Sequence, residues 1–86
     1  MNIQQLQALI AQLEQECQEA TQRLSAGQQN LNQLSIHIHH YTNGSNSGKV
    51  ATQITQEVAM QLRNAIANIQ TLKRELKSYL NSVSNN

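Results

Sequence analysis

The stretch HIHHYTNGSNSGKV, from His37 to Val50, decides how this chain of 86 residues is read. Three histidines stand almost together, and Gly44 to Lys49 spells GSNSGK, close to a phosphate-cradling loop. That loop requires G-x-x-x-x-G-K followed by a Ser or Thr whose hydroxyl ligates magnesium. Here the interval between Gly44 and Gly48 is one residue short, and Val50 stands where the hydroxyl belongs. The chain contains no Asp to supply a second magnesium-side carboxylate. The simpler reading is a turn. Thr42 to Gly48 is a run of turn formers, with Ser45 or Ser47 placed to cap a following helix.

The flanks of this turn are periodic. On its N-terminal side Ile3, Leu6, Ile10, Leu13, Cys17, Ala20, Leu24, Gly27, Leu31, Leu34, Ile38 and Tyr41 follow one another at alternating intervals of three and four. None of them is charged and none is an amide, so the run reads as the seam of a long amphipathic helix. On the C-terminal side Ala51, Thr55, Val58, Leu62, Ala65, Ile69, Leu72, Leu76, Tyr79 and Val83 repeat the pattern. A second column, Ala59, Ile66 and Leu80, lies beside that seam and is interrupted only by Lys73. The stretch SIHIHHY also alternates like a strand, and Asn43-Gly44 is a strong signal for a tight β-hairpin. Against the hairpin, the seven-residue period continues through Leu31, Leu34, Ile38 and Tyr41 without a phase break.

The expected fold is therefore all-α: an antiparallel two-helix hairpin, with helices over 2–41 and 48–83, a turn over 42–48 and a frayed tail over 84–86. Folding about residue 45 sets Glu14, Glu16 and Glu19 beside Lys73, Arg74 and Lys77, a pairing that specifies the antiparallel register. A lone hairpin of this size buries too little to be secure. In this reading Leu9, Ala59, Ile66 and Leu80 have no partner within the hairpin and form an interface. A homodimer, joining two hairpins into a four-helix bundle, satisfies them.

Composition narrows the classes further. Pro, Trp and Phe are absent, Tyr41 and Tyr79 are the only aromatics, and Asn and Gln carry most of the polar surface. A formal net charge of +1 gives no basis for nucleic-acid or membrane-surface binding. No apolar run reaches the roughly 18 residues that span a bilayer. The start MNIQQLQALIAQ lacks the basic region and clean apolar core of a cleaved signal. One cysteine, Cys17, forms no internal disulfide and suits a reducing compartment. The expected location is cytoplasmic.

Few residues offer chemistry. On a helix His37 and His40 share a face and are the weak candidates for one metal ion, while His39 points elsewhere. Zinc wants three or four ligands, and no nearby Cys, Asp or Glu completes the set, so the histidines read as a polar helix end that complements the helix dipole. Cys17 lies in the seam, where a small apolar residue packs well. No group of residues supplies a nucleophile, a base and an oxyanion donor together, so neither enzyme activity nor a cofactor is expected.

Two helices of about forty residues around a small-residue turn resemble the Trp-x-Gly family of small helical hairpins exported by type VII secretion. Tyr41-Thr42-Asn43-Gly44 stands where that family has Trp-x-Gly, and Val83 stands where its export signal has an acidic residue four positions after a Tyr. The resemblance implies an exported helical-hairpin effector. The residues themselves point first to a non-enzymatic protein–protein interaction module, either a self-assembling scaffold or an adaptor or small chaperone for another helical protein. A metal-responsive regulator using His37 and His40 is the third reading.

Overall fold

The structure is a computed structural model that describes residues 2–84. It contains two helices, α1 (Ile3–Thr42) and α2 (Asn46–Ser84), and no strand among the described residues. The seven-residue period thus prevails over the local strand-like alternation of SIHIHHY. Of the tail expected to fray, Ser84 belongs to α2, and residues 85 and 86 lie outside the described residues.

Both ends of α1 and the start of α2 are closed by specific groups. At the start of α1, the Asn2 side chain accepts the Gln5 backbone N–H at 2.8 Å, and the Asn2 N–H donates to the Gln5 side-chain oxygen at 3.1 Å. This reciprocal capping box satisfies two donors that a helix start leaves without partners. At the other end Asn43 adopts the left-handed conformation (φ 50°, ψ 35°), and its N–H turns back to the His40 carbonyl. Gly44 follows at φ 72°, a region that glycine enters at little cost. Ser45 then caps α2, its hydroxyl accepting the Gly48 N–H at 3.1 Å. The turn is therefore only Asn43 to Ser45, shorter than the run of turn formers suggests, because Asn46, Ser47 and Gly48 are absorbed into the first turn of α2.

Gly48 fixes how closely the helices meet at the turn. It is buried, and a Cβ at this position would overlap the Thr42 side chain. Further along, Gly27 packs by Leu62. Residues whose numbers add to about 89 or 90 thus lie side by side, and this register holds along the whole hairpin. The result is a rod of 62 × 15 × 14 Å with a radius of gyration of 19.2 Å, against about 12 Å for a compact domain of this length.

The seam between the helices changes character along the rod. Toward the chain termini it holds Ile10 and Cys17, buried at 2% and 9% exposure. Near the turn it holds Ser35 and Thr55, which the register sets opposite each other. Thr55 donates its hydroxyl to the Ala51 carbonyl at 2.8 Å, and Thr42 does the same to Ile38 at 2.7 Å. Such back-bonding lets hydroxyls sit in a helix interface without a cross-helix partner. The Thr52 hydroxyl is the exception, buried with no hydrogen-bond partner.

Three substitutions test this account by chemical denaturation. Gly48→Ala should destabilise by about 1–3 kcal/mol, because the added methyl overpacks the turn. At Gly27 the nearest neighbour to an added Cβ, Leu62 Cδ1, is 3.5 Å away, an ordinary contact. Gly27→Ala should therefore stabilise, by up to about 1 kcal/mol, through helix propensity. Thr52→Val keeps the shape and removes the orphan hydroxyl, and should stabilise by about 1 kcal/mol.

Candidate interaction site

The hairpin has two long grooves of opposite chemistry. One is lined by Glu14, Gln15, Gln18, Glu19 and Gln22 from α1 with Lys73 and Lys77 from α2. The other is lined by Leu13, Glu16, Cys17, Ala20, Ile69, Leu72 and Leu76. The register charges expected from the sequence are therefore split. Glu14 and Glu19 share the polar groove with Lys73 and Lys77, whereas Glu16 lines the apolar one. Arg74 turns to its own helix, donating to Thr71 Oγ1 at 3.1 Å.

The assignment of columns on α2 is the main correction to the sequence reading. Ala59 is only 5% exposed, and Ile66, Lys73 and Leu80 are half-buried, so the column expected to lie outside is part of the hairpin's own seam. Ile66 and Leu80 are not left in water. Val58, Leu72 and Tyr79, expected in the seam, are 38%, 49% and 55% exposed. The physical reason is that α2 carries three adjacent apolar columns while a single partner helix covers only two. Lys73 interrupts that column without excluding it from the seam, because a lysine stem packs along apolar surface while its ammonium reaches out, here to the groove that holds Glu14. Leu9, the remaining interface candidate, is 39% exposed on α1.

A related drift occurs on α1. Leu6, Leu13 and Ala20 flank the seam toward the termini, but nearer the turn Gln28, Ser35 and Thr42 take their place, and Leu34 and Tyr41 become exposed. An α-helix with 3.6 residues per turn rotates by about 20° per heptad against a strict seven-residue repeat. Over the length of α1 this moves the contact line by one residue. The displaced column, with Val58, Leu72 and Tyr79 of α2, forms a continuous apolar face on the side of the Leu13–Leu72 groove.

The histidines do not assemble a metal site. His37, His39 and His40 are exposed at the end of α1. The rings of His37 and His40 stand edge-on to Tyr41 at centroid distances of 6.5 and 5.5 Å. Among the described residues no three His, Cys or Glu side chains come together as a metal ion would need. Cys17 is buried in the seam as a free thiol. Among the described residues, no helix is long and apolar enough to cross a membrane.

No protein-family model, curated protein or solved structure matches this chain. At the turn, where the family with Trp-x-Gly has its signature, Tyr41 is 81% exposed.

Two measurements check the site. Ala59→Leu should destabilise the hairpin by about 1–3 kcal/mol, since this position is buried between the helices. Zinc titrated into the wild type and into His37→Ala should bind both weakly and alike. A submicromolar site lost on that change would reverse the reading of the histidines.

Proposed function

We propose that this chain is a non-enzymatic protein–protein interaction module that works by laying its helices against other helices. The observation that carries this reading is the deficit of its own core. Among the described residues the buried apolar side chains are Ile10, Cys17 and Ala59, while Val58, Leu72 and Tyr79 lie in water along one face. Covering a side chain of that size contributes about 1.5–3 kcal/mol, which is large against the few kcal/mol that two packed helices retain. The stability of the hairpin is thus tied to what covers that face.

Self-association of two hairpins into a four-helix bundle is the form of assembly that the geometry favours, as a scaffold or as the core of an adaptor. Antiparallel helices of equal length, with a short turn, pack end to end without overhang. The polar groove with Glu14, Glu19, Lys73 and Lys77 then remains toward solvent.

In-cell cross-linking through a photoreactive residue placed at Leu72 tests the reading. The expected result is one or a few discrete adducts, either with a second copy or with another helical protein, that vanish when the probe is moved to Met60 on the opposite side. Equal diffuse labelling from both positions would refute an interaction face.

A further inference from the structure

We propose that the occupant of the apolar face is a second copy of the same chain, packed about a two-fold axis that crosses the rod at mid-length, Ala65 meeting Ala65. This inference deepens the interaction reading and rests on it.

The first argument is area. A compact monomer of 9.6 kDa exposes about 5,100 Å², whereas this chain exposes 6496 Å². The rod's flat side, 62 by 15 Å, offers about 900 Å², and a stable complex needs roughly 800 Å² from each partner. One face is enough.

The second argument is that the face is its own complement. A two-fold interface must map one patch of surface onto itself. On α1 the column reads Leu6, Leu13, Ala20, Gly27, Leu34, Tyr41. Reversal about its centre, between Ala20 and Gly27, sets large against large and small against small. On α2 the column reads Ala51, Val58, Ala65, Leu72, Tyr79. Its reversal about Ala65 sets Val58 against Leu72, and the small Ala51 against the large Tyr79. Each centre lies near the middle of its helix, and the register that pairs Gly27 with Leu62 brings the two to the same height on the rod. A single axis therefore serves both helices. The small residues at the centre let the two copies approach closely there, and the leucines interlock on either side. The face also suits its own copy electrostatically, because Glu16 is the single charged side chain lining that groove and the charged groove lies on the other side.

Sedimentation equilibrium and disulfide trapping decide the matter. The wild type should sediment at twice the mass of the chain at tens of micromolar. In a Cys17→Ala background, Ala65→Cys should cross-link to itself under mild oxidation, because it sits on the axis, and Met60→Cys should not. Leu72→Glu should raise the dissociation constant by roughly 100-fold or more, since a symmetric dimer buries the unpaired charge twice. Should Leu72→Glu fail to fold, the Ala65→Cys variant carries the test alone. A folded Ala65→Cys variant that stays monomeric on oxidation overturns the proposal. So does a wild-type dimer that cross-links from Met60, although assembly itself would then stand. A folded wild-type monomer also overturns it, and adducts to another protein in the cell would still support the interaction reading.

Discussion

A helix that has one neighbour can hide only one strip of its surface, and this constraint governs the whole molecule. Each helix of the hairpin presents two columns to the other, so a third apolar column must face water. In a bundle of four helices every helix has two neighbours, and a third column finds cover. Here the seam is narrow, and even its large side chains are mostly half-buried. Ile10 is the one large apolar residue that the seam encloses among those described. Stability is accordingly spread thinly along 62 Å rather than gathered in a centre, and no point along the rod is far from solvent.

With so little core, the register has to be set by other means. Gly48 and Thr42 lock the helices together at the turn, where any side chain larger than hydrogen would push them apart. Asn43 and Gly44 reverse the chain in left-handed conformations, and Ser45 starts α2 at once. From that fixed point the pairing of Ser35 with Thr55, and of Glu14 with the region of Lys73, follows as geometry. The charges in the polar groove support the register at little energetic gain, since exposed pairs contribute only about 0–1 kcal/mol each. The hydroxyls near the turn act differently. Those of Thr42 and Thr55, bonded back to their own helix, allow close packing without the bulk of leucine. The exposed column of Val58, Leu72 and Tyr79 lies on the face away from those charges.

The all-α class, the two helices and the position of the turn were legible in the sequence. Twelve seam positions from Ile3 to Tyr41 carry one period through the strand-like SIHIHHY, and Asn43-Gly44 marks the reversal whichever element flanks it. The departure of GSNSGK from the phosphate-loop pattern was equally legible, because it depends only on spacing and on residue identity. Which columns face inward was not. Periodicity states that α2 is apolar over three columns but is silent on which two a partner will cover. That choice depends on the twist of one straight helix against another, which moves the contact line on α1 from Leu34 and Tyr41 to Ser35 and Thr42. It depends also on Lys73, which interrupts the inner column and which the fold accommodates by giving its stem a surface to lie on and its ammonium a way out. The sequence by itself determined the elements and their order, because these are set by local propensity and by a repeat that any single helix carries. Only the tertiary structure decided which face is buried and which is left exposed, because that is a property of two helices meeting at a particular angle.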